Sequence, residues 1–279
     1  MKTCDLHTHS IYSDGTCTPI QIIDSAINIG LSAVALCDHN TVDGLPEFLA
    51  AAENKNITAI SGAEFSVDYN GTELHLIGLF IPQSEFGKVS DLMKEVNEKK
   101  RQSNIDLIKS LNNAGYKIDY ETIKNSTPNG KLNRAHIAAE LTRKGYTKSI
   151  KQAFKTLLST KVGYYKMPEM LCFFEMIDFI KSIGADPVLA HPFLNLSKEE
   201  LEVLLPIAKS RGLVGMECYY SLYDEETTKD ALALAEKFGL KFSGGSDFHG
   251  ENKPDIKLGV GKGNLEIPFD WYTELKKAR

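Results

Sequence analysis

Seven histidines in a chain of 279 residues are an ordinary number, but their placement is informative. His7 and His9 stand two apart, Asp14 follows in Ser-Asp-Gly, and His39 comes directly after Asp38. Glu64, His75 and His191 lie in or at the ends of apolar runs, and Asp247 and His249 repeat the spacing of two. Imidazole nitrogens mixed with a few carboxylates suit Zn, Mn or Fe better than Ca or Mg. These nine donors are too many for one ion and suit two or three divalent ions. Any one of the histidines alone reads as a satisfied polar residue near the core. Together they do not, because burying so many ionisable groups without a compensating cation is costly.

Such a cluster needs a scaffold that brings distant segments to one place. Short β-rich runs at 4–7, 33–38, 58–65, 74–81, 188–191, 213–218 and 241–246 alternate with helical patterns, which signals an α/β chain with mainly parallel strands. The segment 19–30 has apolar residues at Ile20, Ile23, Ala26 and Ile27, then Gly30 as a stop. Segments 174–184 and 227–239 likewise end on glycine before the next strand. Seven strands in this rhythm predict a distorted (β/α)7 TIM-like barrel, whose C-terminal strand ends form the active face. The candidate donors fall at those ends. A spacing of two puts His7 and His9 on one face if the strand persists. Tyr69-Asn70-Gly71-Thr72 reads as a two-residue hairpin, since Asn-Gly suits a type I′ turn. Ser66 then faces His75, and Glu64 becomes its diagonal neighbour, close enough to share a metal.

One stretch breaks the rhythm. Residues 84–167 show no strand pattern, only polar, Lys-rich helical segments at 88–114, 120–124, 134–144 and 149–158. A connection this long is unlike a structureless loop. The expected organisation is therefore a barrel from 1–83 and 168–279, with a helical insertion at 84–167 acting as a lid. Most of its lysines read as a solvated helix face. Arg134 and His136 follow Pro128-Asn129-Gly130 and lie near a helix start, a place suited to anions. A guanidinium there offers a planar fork for phosphate, so the two residues are candidates for binding substrate rather than metal.

Composition narrows the partners. The chain is 42% hydrophobic and 25% charged, with no run near the ~18 apolar residues of a membrane span. Its first residues lack the apolar core of a signal peptide, so a cytoplasmic location and no membrane partner are expected. Cys4, Cys17, Cys37, Cys172 and Cys218 are scattered and never in C-x-x-C spacing, which reads as free thiols. A net charge of -5 argues against a stable complex with long nucleic acid but allows a small anionic substrate held by metal charge. No pattern speaks to oligomeric state.

The runs Asp5-Leu-His-Thr-His-Ser10, Ser13-Asp-Gly-Thr16, Asp38-His39, Gly62-Ala-Glu64, His75-Leu-Ile-Gly78, Ala190-His-Pro192 and Gly245-Ser-Asp-Phe-His-Gly250 resemble the PHP (polymerase and histidinol phosphatase) family. The likeness spans the chain outside the insertion. Ser-Asp-Gly-Thr and Ser-Asp-Phe-His-Gly are similar to the branch that acts on nucleoside 3′,5′-bisphosphates and as 5′→3′ exonucleases on short RNA. The histidinol phosphatase branch usually has histidine where Asp14 stands, which makes that activity the alternative. The resemblance implies three sites. His7, His9, Glu64 and Asp247 would hold one ion. A second would take His75, His191 and a bridging Glu64, and a third Asp14, His39 and His249. Asn40 and Cys37 depart from the Asp and Thr that the family often has there, and Asn133-Arg-Ala-His136 departs from Gly-Arg-Pro-His. None of these removes a ligand; they bear on substrate preference.

The chemistry expected of such a site is phosphate-ester hydrolysis, with two or three ions outweighing the carboxylates of Asp14, Glu64 and Asp247. A hydroxide bridging two metals would attack in line, and Asp247 or a nearby histidine such as His191 would serve the leaving oxygen. Two other readings compete. A non-catalytic metal module would have lost ligands, and this chain keeps them. A barrel amidohydrolase often carries a carboxylated lysine at its fourth strand, where His75 stands here.

Overall fold

Three barrel helices begin where a side chain satisfies free backbone N–H groups, and each of them buries a stripe at helical spacing. In the computed structural model, which describes residues 2–127 and 132–277, Thr18 and Ser197 close capping boxes, and Asp224 caps a third helix. The helices in chain order are α1 (Pro19–Asn28), α2 (Leu45–Ala52), α3 (Phe86–Asn113), α4 (Tyr120–Ser126), α5 (Arg134–Arg143), α6 (Ile150–Lys155), α7 (Phe173–Ser182), α8 (Lys198–Ser210), α9 (Glu225–Lys237) and α10 (Phe269–Lys277). Leu201, Leu204, Leu205 and Ala208 of α8 show the buried stripe well. On α1 the stripe is Ile22, Ile23 and Ala26, while Ile20 is exposed. Ile20, apolar like its neighbours, lies one residue off the buried face. The turn expected at Pro128-Asn129-Gly130 lies outside the described residues.

Seven strands, β1 (Cys4–Thr8), β2 (Ala33–Leu36), β3 (Thr58–Tyr69), β4 (Thr72–Leu79), β5 (Asp186–Leu189), β6 (Gly215–Tyr220) and β7 (Lys241–Gly245), pair in chain order. Closure comes from the segment after β7. The Asp247 N–H donates to the His7 carbonyl at 2.8 Å, and the His9 N–H donates to the Phe248 carbonyl at 2.9 Å. The result is a nearly closed, TIM-like α/β barrel. All neighbours are parallel except β3–β4 and β4–β5. The reversal follows from the Asn70-Gly71 turn, where both residues adopt positive φ, 52° and 81°. Tyr69 pairs with Thr72 and Ser66 with His75. Because β4 runs backwards, its early residues lie at the end of the barrel where the parallel strands finish. His75 therefore reaches the same place as groups at the other strands' C-terminal ends.

The chain divides into two compact units, Met1–Ser90 with Met170–Arg279, and Asp91–Glu169. The first holds the barrel. The second has its own apolar cluster, with Leu107, Leu111, Ile137, Leu141, Ala153 and Leu158 at its centre. No described helix is long and apolar enough to cross a membrane.

β7 lies tightly against β1. A Cβ at Gly245 would run into the Cβ and backbone of His7, so only glycine lets the strands approach this closely. Gly245→Ala should cost about 1–3 kcal/mol through overpacking, lowering the melting temperature by about 2–4 °C per kcal/mol. An unchanged melting temperature in calorimetry would mean that β1 and β7 are not held this closely.

Candidate metal centre

The centre is assembled at strand ends whose backbones are bent to aim side chains inward. The β1–β2 ladder is irregular between Asp5 and Thr8, around His7, and the β6–β7 ladder is irregular between Glu217 and Tyr219. Bulges of this kind re-aim side chains next to functional sites. His191 and Asp247, just past β5 and β7, adopt positive φ of 29° and 56°. Non-glycine residues hold such conformations only where their surroundings fix them. The loop carrying Asp14 is tied down by Asp38, which accepts from the Ser10 N–H at 2.8 Å and from the hydroxyls of Ser10 and Ser13 at 2.6 Å each.

Glu64 is the hub. It is fully buried, and five imidazoles face it. Its Oε1 lies 2.8 Å from His75 Nδ1 and 2.9 Å from His191 Nε2. Its Oε2 lies 3.0 Å from His39 Nδ1 and 3.3 Å from the Nε2 atoms of both His7 and His9. On one flank, Asp14 Oδ1 meets His249 Nε2 at 3.1 Å, His39 Nε2 at 3.7 Å and His9 Nδ1 at 3.9 Å. On the other, Asp247 Oδ1 is 3.3 Å from His9 Nε2 and from His249 Nδ1, and 3.9 Å from His7 Nε2. All nine donors named from the sequence thus come together in one cluster, buried except at the half-buried His39 and His75.

The cluster fits divalent cations on three observations. Asp14 Oδ1 and Glu64 Oε2 are buried without a hydrogen-bond partner although ring nitrogens surround them. Such orphaned acceptors are costly unless something positive completes them. Four groups bring donor atoms close enough to share an ion: His9 with Asp14, His39 and His249; His7 with His9 and Glu64; His7 with His191 and Glu217; and His39 with Glu64 and His75. The third observation concerns tautomers. Glu217 Oε1 lies 2.9 Å from His7 Nδ1, and the Asp247 carbonyl lies 2.8 Å from His249 Nδ1. Each acceptor keeps the proton on Nδ1 of the neutral ring, which leaves Nε2 with a bare lone pair facing the cluster.

Without metal, charge balance falls to protons. Burial pushes the Glu64 carboxyl up, but His75, His39 and His7 outweigh it and hold it well below the usual carboxylate range. Burial likewise opposes ionisation of Asp14, and His249 and His39 override it. For Asp247, Lys253 and then His249 overcome burial. Burial depresses the His75 imidazole, yet the carboxylate of Glu64 lifts it to about 9. The carboxylates favour protons on His7 and His75, and a divalent cation bound there would displace those protons.

Sequence reasoning missed three contributors. Glu217 is fully buried, and its Oε2 also accepts the His191 N–H at 2.7 Å, so one carboxylate orients two of the histidines. A single acid inside the apolar run Val214-Gly-Met-Glu-Cys was its only signal. Tyr220 and Lys253 both donate to Asp247 Oδ2, at 2.8 and 2.6 Å, fixing which oxygen faces the cluster. Arg134 and His136 belong to the 91–169 unit. Arg134 lies 4.3 Å from the centroid of the Tyr165 ring, and His136 Nδ1 accepts the Asn133 N–H at 3.2 Å within the cap of α5.

Comparison with known proteins gives a consistent picture. The PHP domain model matches residues 5–182, which takes in the donors from His7 to His75. The chain is 30% identical over 253 residues to a 5′-3′ exoribonuclease of Haemophilus influenzae, covering 89% of this chain and 90% of that protein. It is 28% identical over 260 residues to a 3′,5′-nucleoside bisphosphate phosphatase of Chromobacterium violaceum, covering 92% and 91%. Among solved structures, an amidohydrolase of Chromobacterium violaceum with bound sulfate and no metal superposes with a TM-score of 0.89 at 26% identity, over 99% of this chain and 96% of that one.

Glu217→Gln preserves volume but leaves one oxygen to serve both the His7 ring and the His191 N–H. Metal affinity should fall by about 10- to 100-fold, the usual effect of losing an orienting partner. Competition against a chelating dye reads this directly, and parent-like affinity would remove Glu217 from the account.

Proposed function

The chain belongs to the PHP domain family and is a metal-dependent phosphoesterase, and on that premise we propose that its substrates are nucleoside 3′,5′-bisphosphates and short 5′-phosphorylated oligonucleotides. The observation that carries this reading is Glu64, a buried carboxylate ringed by five imidazoles and flanked by Asp14 and Asp247. That donor set matches several divalent ions side by side, an arrangement suited to holding a phosphate group. The two relatives named above, which match nearly the whole chain, support the nucleotide substrate class.

In this proposal His7, His9, Glu64 and Asp247 hold one ion. Glu64, His75 and His191 hold a second, and Asp14, His39 and His249 a third. The bound ions would be Mn, Fe or Zn, and would supply Lewis acidity and a positive field for phosphate. The chain's own groups do the rest. Glu217 keeps the His7 ring in its ligating tautomer. Tyr220 and Lys253 hold Asp247 by one oxygen so that the other faces the cluster of histidines. Asp247 and His191 are the proposed groups for handling the proton of the leaving oxygen, and Arg134 and His136 the proposed contacts for a substrate phosphate.

Phosphate release from a nucleoside 3′,5′-bisphosphate and from histidinol phosphate, with mononucleotide release from a short 5′-phosphorylated RNA, tests the reading. One or both nucleotide substrates should exceed histidinol phosphate in kcat/KM by about 100-fold, a difference of about 2.7 kcal/mol. Glu64→Ala should abolish turnover on all of them. A preference for histidinol phosphate would overturn the substrate class, and full activity in Glu64→Ala would overturn the centre.

A further inference from the structure

The net charge of -5 conceals an uneven distribution. Residues 91–169 carry sixteen Lys and Arg against eight Asp and Glu, while the remainder carries sixteen against twenty-nine. Within the basic unit the asymmetry sharpens further. From 141 to 168 the chain has seven Lys and Arg and no carboxylate at all. Glu140, at the border of this run, engages Arg143 at 2.7 Å and Lys144 at 3.6 Å. Lys148, Lys151, Lys155 and Lys161 are exposed, and their ammonium groups have no ion-pair partner among the described residues.

Two of these cations share the short helix α6 with an aromatic residue. Helix α6 buries Ala153 in the apolar cluster of its unit. Lys151 and Lys155 are four residues apart and so share a face. Phe154 sits beside Lys155 and is 37% exposed, as is Tyr146 in the turn before α6. The Arg134 guanidinium lies 5.8 Å from the centroid of the Phe154 ring. A solvated helix face accounts for scattered lysines. It does not account for a 28-residue stretch without one balancing acid, nor for phenylalanine set among the lysines. Unpaired like charges repel, and an anionic strand relieves that repulsion.

We propose that the face of the 91–169 unit formed by residues 141–168 docks single-stranded RNA, with phosphates on Lys148, Lys151, Lys155 and Lys161 and a base stacked on Phe154. Lysines supply a contact indifferent to sequence, and an exposed ring accepts any base from an unpaired strand. The inference rests on the reading of the metal centre as acting on nucleotides. It also revises the reading of these lysines as solvent-facing only.

Fluorescence anisotropy of a phosphorothioate-linked RNA of about 12 nucleotides, a length within the usual range for single-strand sites, with the metal-loaded full chain tests it. At about 0.1 M salt, Lys151→Ala/Lys155→Ala should weaken binding by about tenfold and make the salt dependence shallower by about 1.4 logarithmic units, ~0.7 for each phosphate contact. Phe154→Ala should weaken binding while leaving that slope unchanged. Turnover of a nucleoside 3′,5′-bisphosphate should stay at the parent value in all of these variants. Unchanged RNA affinity in the variants would overturn the proposal, as would a parallel loss of bisphosphate turnover. Loss of binding to phosphatidylserine vesicles, with RNA binding retained, would overturn it in favour of a membrane surface. RNA binding that depends on these residues, in a protein that hydrolyses neither nucleotide substrate, would uphold the docking face while refuting the substrate reading.

Discussion

A carboxylate buried away from water must be matched by positive charge, and Glu64 imposes that requirement on this barrel. Five imidazoles converge on it from the ends of β1, β2 and β5 and from the start of β4. The convergence explains features that would otherwise look unrelated. β4 must run antiparallel for His75 to arrive at the correct end, and the Asn70-Gly71 turn provides for that. The segment after β7 must bond back to β1, and Gly245 lets the strands come close enough for Asp247 and His249 to complete the flank. His191 and Asp247 hold unfavourable backbone conformations at the points where the donors turn inward.

Around the donors lies a layer of groups that orient them. Asp38 gathers the loop of Asp14 through three hydrogen bonds. Asp5, buried at the base of β1, accepts from the Ser246 N–H and hydroxyl and from the Gly259 N–H. It links β1 to the segment that carries Asp247. Glu217 sets the His7 ring and the His191 backbone together. These carboxylates are satisfied by N–H and O–H donors, whereas Asp14 and Glu64 each keep an oxygen with no hydrogen bond. Those two orphaned oxygens lie among the ring nitrogens of the centre.

Much of this was legible in the sequence because ligand chemistry and strand geometry leave marks at fixed spacings. His-x-His and Asp-x-His, the glycine stops and the Asn-Gly turn locate strand ends and one register within a few residues. Glu217 escaped because one acid in an apolar strand reads equally well as a residue on the solvent side. Lys253 and Tyr220 escaped because their role depends on a tertiary approach to Asp247 that no local pattern encodes. Apolarity alone did not tell the buried face of α1 from its edge, where Ile20 is exposed. The total charge, by averaging an acidic barrel with a basic second unit, hid the one feature of the 91–169 unit that points to a polyanion.

The central claim is that divalent cations, rather than protons, balance the buried carboxylates in the working protein. Calorimetric unfolding before and after exhaustive chelation, with bound metal counted by elemental analysis, tests it most directly. The account predicts about two or three divalent ions per chain, a lower melting temperature once they are removed, and recovery when they are restored. An unchanged melting temperature in protein shown to be free of metal would contradict it.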